Sequence, residues 1–256
     1  MGEALLVGLL DAGWAVEDIS VAEPATQRRL ELEARFPQLR VVPAASWAVA
    51  EVDDVVIAVK PTDVAAALES ARAVLGPATL LVSIAAGVTI EAIELLAPGH
   101  PVVRAMPNMP ALVGQGAAAL APGSLAEEDH LRRAERILGA VGLTVRVGEK
   151  DLDGVTGLSG SGPAYIFLLV EALVEGGVLV GLPRDVAEQL VVQTLQGSAA
   201  LLASGQGTAA QLREAVTSPG GTTAAGLRAL ERAGFRAALL EAVAEATRRS
   251  KELGSG

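Results

Sequence analysis

The residues best placed to do chemistry are Ser218-Pro219-Gly220-Gly221-Thr222-Thr223, a bend that runs straight into an apolar helical pattern at Ala224, Leu227 and Leu230. Paired glycines permit backbone torsions and close approaches denied to other residues, so a small anion can meet bare N–H groups at the helix start. Gly220, Gly221 and Thr222 therefore suit a small carboxylate, with two hydroxyls beside it. The same two threonines also suit plain helix capping, and the two roles are compatible. A second joint of this kind lies at Leu158-Ser159-Gly160-Ser161-Gly162-Pro163-Ala164, where Pro163 has the fixed φ and missing N–H suited to a first helical position. Neither histidine looks chemical: His100 sits in a Pro-Gly-His-Pro turn and His130 follows the acidic run Glu127-Glu128-Asp129. No spacing resembles a metal site, a Ser-His-acid triad or a nucleophile elbow.

These joints need elements to hold them. Helical spacing over 2–12, with Gly13 as its stop, is followed by strand-like runs at 19–22, 40–42, 54–59, 79–84, 101–105 and 144–147. Helical segments near 26–36, 62–75, 89–97 and 125–141 separate them. Apolar strands alternating with helices predict a doubly wound parallel sheet. From about Asp151 the strand signal ends, and helical patterns follow at 162–180, 184–204, 208–216, 222–233 and 235–252, predicting an all-helical second half. The domain boundary is accordingly placed between residues 150 and 151.

An open parallel sheet binds ligands beyond the carboxyl ends of its strands, where Ala58-Val59-Lys60-Pro61 and Ile84-Ala85-Ala86-Gly87 fall. They are candidate cofactor loops, although ordinary strand-to-helix turns have the same composition. Lys60 adds a cation that can face phosphate or a carboxamide. Glu23 follows the strand at 19–22, where a dinucleotide fold places the acid that binds the adenosine ribose and repels a 2′-phosphate, favouring NADH over NADPH. A solvated carboxylate before Pro24 is the alternative, and Arg28 and Arg29 could equally reach a phosphate.

Composition excludes other classes. The chain is 51% hydrophobic but 2% aromatic, so Ala, Leu and Val must fill the core. A formal net charge of −10 without a basic cluster argues against a nucleic-acid partner. The uncharged stretch 105–126 is broken by prolines and glycines, so it is not expected to span a membrane. Absence of cysteine rules out disulfides and thiol chemistry, and with no secretory pattern at the start it fits a cytoplasmic location.

Val155 through Tyr165, Gly177 through Pro183 and Leu212 through Thr223 closely resemble pyrroline-5-carboxylate reductase. Ala58-Val59-Lys60-Pro61, Ala85-Ala86-Gly87-Val88-Thr89-Ile90 and Arg104-Ala105-Met106-Pro107-Asn108 agree in order and spacing. The resemblance implies a Rossmann-like dinucleotide domain over 1–150 and an all-helical dimerisation and substrate domain over 151–256. It implies NADPH- or NADH-dependent reduction of 1-pyrroline-5-carboxylate to L-proline, in a homodimer or a ring of dimers. Thr223 is then the proton donor or imine-orienting hydroxyl. Glu149, Ser161, Gly220, Gly221 and Thr222 would join it at the substrate, with Gly2, Glu23, residues 58–61 and residues 84–87 at the cofactor. Gly2 matches the last glycine of a Gly-x-Gly-x-x-Gly loop, so the first strand is expected to be missing and cofactor binding impaired. Glu23 stands where relatives carry a small polar residue, and Ala45-Ser46 where they often carry asparagine. A related class, the β-hydroxyacid dehydrogenases, uses a lysine on the interdomain helix, but Lys60, Lys150 and Lys251 all lie outside the helix beginning at Pro163. A catalytically silent dimeric module is the non-enzymatic alternative.

Overall fold

The computed structural model describes residues 1–50 and 52–254. Helix and strand alternate first: α1 (Gly2–Asp11), β1 (Ser20–Ala22), α2 (Thr26–Arg35), β2 (Arg40–Val42), α3 (Ala45–Ala48), β3 (Asp54–Ile57), α4 (Val64–Ala71), β4 (Leu80–Ser83), α5 (Ile90–Leu96) and β5 (Val102–Met106). Next come β6 (Gly116–Pro122), α6 (Glu128–Gly139) and β7 (Gly142–Arg146). The rest is helical: α7 (Leu152–Val155), a π turn over Thr156–Gly160, α8 (Gly162–Leu179), α9 (Arg184–Ala203), α10 (Ala209–Ala215), α11 (Thr222–Arg232) and α12 (Phe235–Gly254).

The strands form a 5-stranded sheet in the order β3-β4-β5-β6-β7 and a separate parallel pair, β1-β2. Among the described residues no strand joins β1 to β3. Helix α1 spans the divide instead, with Leu5 and Leu9 in the core of the larger sheet and Leu6 packed with Leu32 and Leu39 beside the smaller. Contrary to the expectation of an all-parallel sheet, β6 runs antiparallel to β5, with Ala105 opposite Leu120. The short connection through residues 107–115 permits a reversal, whereas a parallel return needs a longer crossover. The run Gly116-Ala117-Ala118-Ala119 has no β-branched residue to signal a strand, yet it fits where packing is tightest.

Leu80, Leu81, Val82, Val102 and Val103 are completely buried because helices cover both faces of β4 and β5. One face carries α1 and α6, through Leu9, Ala134 and Leu138; the other carries α4 and α5, through Leu68 and Ile93. This is why these strands read as continuous apolar runs rather than alternating ones. Gly8 lets α1 approach closely, since a Cβ there would lie 2.2 Å from Val141 Cγ1.

Backbone packing groups Met1–Ser161 with the chain from Glu245 onward, and makes Gly162–Ala244 a second unit. Residues 149–161 stay with the sheet because Leu152 is buried in its core, and Ser250 Oγ donates to Asp153 Oδ1 at 2.7 Å. In the helical unit Gly177 lets α8 meet α9, where a Cβ would lie 2.9 Å from that of Ala187. Ile166, Phe167, Leu168, Leu190 and Val192 are left exposed.

Candidate active site

The first unit gathers the candidate cofactor residues at one end of its sheet. Because β3 and β4 are parallel neighbours, their following loops, 58–61 and 84–87, emerge side by side. Ile84 N donates to Ile57 O at 3.1 Å and extends the pairing to the loop mouths. Gly87 turns with φ 76°, which favours glycine. Helix α1 starts at the same end: a Cβ on Gly2 would lie 3.1 Å from that of Ala58, so glycine there lets the helix start sit against the end of β3. Lys60 is exposed and Ala85 is buried.

Glu23 extends the β1 pairing, its N–H donating to Val42 O at 2.9 Å. Its Oε1 accepts from Ala25 N at 2.9 Å, which anchors the carboxylate at the head of the loop. Arg29 is spent on the loop backbone, donating to Glu23 O at 3.0 Å and Pro24 O at 2.8 Å, and on Thr26 Oγ1. Arg28 is paired with Glu31 and Glu3, and these bonds hold its pKa above the ordinary value while lowering that of Glu31. Arg35 also reaches Glu3. The carboxylates thus already engage two of the three nearby arginines.

Glu149 has partners that no local pattern announced. Its Oε1 accepts from Ile90 N at 2.7 Å and from Arg104 Nη1 at 3.0 Å, linking the start of α5 to β5. The carboxylate assigned to the substrate by resemblance is therefore engaged within the protein. Beyond it, Ser161 N closes the π turn onto Thr156 O at 2.8 Å, and Ser161 stands at the exit of that turn.

In the helical unit, Gly220 adopts φ 68° and Gly221 caps α11, donating its N–H to Ser218 O at 3.0 Å. A Cβ on Gly221 would lie 2.3 Å from Ser218 Oγ and 3.2 Å from Ser218 O, so a side chain there would have to turn the Ser218 hydroxyl aside. Ala225 N, bonded to Gly221 O at 3.1 Å, is the first amide of α11 with an intrahelical acceptor, and no side chain caps the helix. The amides of Thr222, Thr223 and Ala224 are left for an anion, with the helix dipole favouring negative charge. Thr223 is half-buried and Thr222 exposed.

Known families match both halves. The model for pyrroline-5-carboxylate reductase dimerisation covers residues 149–253, and that for NADP oxidoreductase, coenzyme F420-dependent, covers residues 1–87. The fold and these matches define an NAD(P)-dependent oxidoreductase, a Rossmann-like domain followed by a helical dimerisation domain. A pyrroline-5-carboxylate reductase from Synechocystis sp. is 46% identical over 99% of this chain and 95% of its own, and one from Mycobacterium tuberculosis is 48% identical over 99% and 93%. The structure of the reductase from Coxiella burnetii superposes with a TM-score of 0.93 at 35% identity, covering 98% of this chain and 94% of that one. That of the Plasmodium falciparum enzyme with NADP bound gives 0.87 at 31%, covering 99% and 94%. The chain belongs to the pyrroline-5-carboxylate reductase family.

Proposed function

We propose that this protein reduces 1-pyrroline-5-carboxylate to L-proline, the last step of proline biosynthesis, with NADH or NADPH as reductant. Besides family membership, one observation carries the assignment: the Ser218–Thr223 turn presents uncapped amides and a half-buried hydroxyl at the start of α11. Amides of Thr222, Thr223 and Ala224 hold the substrate carboxylate, with Gly220 and Gly221 shaping the turn that exposes them, since the Gly221 N–H is donated to Ser218 O. Ser161 contributes a hydroxyl from the other glycine-rich joint. The Thr223 hydroxyl faces the ring nitrogen. A free hydroxyl is too weak an acid to protonate an imine alone, so Thr223 orients the nitrogen and relays a proton from water. The bound nicotinamide supplies the hydride that forms the new C5–H bond as the C=N bond is reduced.

Gly2, the loop 58–61 and the loop 84–87 fit a dinucleotide, since each closes around small residues beside a helix start. Glu23 fits a ribose bearing a free 2′-hydroxyl, which makes NADH the preferred reductant. The working unit is a homodimer or a ring of dimers, in the cytoplasm. The exposed apolar surface of α8 and α9 supports that reading.

The test is to supply 1-pyrroline-5-carboxylate and NADH and follow both cofactor oxidation and proline. Equimolar appearance of proline is the expected result. Cofactor binding without proline would overturn the assignment and favour the silent dimeric module.

A further inference from the structure

We infer that Asn108 is a positioning residue that sets the glycine-rich joint before α8 for the reduction. It stands just after β5, in a sequence whose match to the family assigned it no task. Its side chain bonds at both ends: Nδ2 donates to Ser159 O at 3.1 Å, and Oδ1 accepts from Ala117 N at 2.8 Å. A backbone amide only donates and a backbone carbonyl only accepts, so one orientation of the amide satisfies both partners. Aspartate of the same shape keeps the acceptor and, when ionised, loses the donor.

The joint needs such a clasp. A π turn is rare and weakly held, and glycine brings no rigidity of its own. The hydroxyls inside the segment are turned back on their own backbone, Thr156 Oγ1 to Leu152 O at 2.8 Å and Ser159 Oγ to Val155 O at 3.1 Å. Asn108 grips the turn from outside and ties it to β6 in the rigid sheet. The next residue is small where the strand end comes near: a Cβ on Gly160 would lie 2.7 Å from Met106 Cε, so glycine leaves room for the Met106 side chain. Asn108 limits how far the turn strays from the strand end. Ser161 follows directly, so a slack turn displaces its hydroxyl and amide. Misplacement by about 1 Å can cost on the order of a hundredfold in rate.

The inference rests on the reductase reading, and the experiment separates their failures. Imine KM, kcat and NADH affinity are measured for the wild type, Asn108→Ala and Asn108→Asp between about pH 5.5 and pH 8.5. Asn108→Ala should raise the imine KM about tenfold or more, leave NADH affinity within about twofold, and keep a constant ratio to wild type across the range. In Asn108→Asp the introduced carboxyl faces the Ser159 carbonyl. Ionised, it sets oxygen against oxygen; protonated, it donates. Its activity relative to wild type should therefore be lowest at high pH and recover as pH falls, behaviour that general loosening would not produce. Should Asn108→Ala fail to fold, the pH series decides. A flat ratio for Asn108→Asp, a wild-type imine KM in both variants, or an equal loss of NADH affinity would overturn this inference alone. No wild-type turnover of the imine would overturn both readings.

Discussion

Strands β4 and β5 bury Leu80, Leu81, Val82, Val102 and Val103 completely, whereas helices α8 to α12 bury only Val174 and Ala187 among their described residues. The two units have similar supplies of Ala, Leu and Val, so composition does not explain the contrast. The sheet finds its cover within the chain, in α1, α4, α5 and α6. The helical unit leaves Ile166, Phe167, Leu168 and Leu190 uncovered, and its family model is named for dimerisation. One half is a finished core and the other is part of a core, whose stability depends on protein concentration. The proposed tasks divide along the same line, cofactor in the first and substrate carboxylate in the second.

The largest expected effect tests the finished core. Gly142 has φ 149°, and a Cβ there would lie 2.0 Å from Gly116 O across the β6-β7 pairing. Gly142→Ala should cost about 3 kcal/mol or more in urea unfolding, and a loss below about 1 kcal/mol would mean this pairing is less tightly packed than the contrast requires. Gly197 tests the unfinished half: it lies inside α9 with open space around it, although mid-helix glycine costs about 1 kcal/mol relative to alanine. If that space is filled by a second chain in the dimer, Gly197→Leu should weaken self-association about tenfold or more by sedimentation, and an unchanged dissociation constant would contradict that. The smallest effect sharpens the assignment of the cofactor to the first unit. Glu23→Ser should move the kcat/KM ratio toward NADPH by about tenfold, or about 1.4 kcal/mol, and an unmoved ratio would leave Glu23 a surface carboxylate.

What the sequence disclosed follows from how local each signal is. The Ser218–Thr223 turn is legible because its glycines, its cap and its helix lie within a few residues. Strand β2 emerges as expected at Arg40–Val42, and β3 and β4 stop slightly short of their apolar runs. Strand β6 escaped because alanines carry no period that separates strand from helix, and its neighbours lie on β5 and β7. The partners of Glu149 and Asn108 escaped for a related reason. They include backbone amides and a backbone carbonyl, which leave no residue-specific trace, as well as Arg104, far away in the chain.

The division of labour between the two units is tested most directly by Thr223→Ala, measuring turnover of 1-pyrroline-5-carboxylate and NADH affinity on the same preparation. Loss of a positioned proton relay should lower kcat by about 10² to 10⁴-fold while NADH affinity stays as in the wild type. Unchanged turnover, or a fall in NADH affinity matching the fall in kcat, would contradict the placement of substrate chemistry at the start of α11.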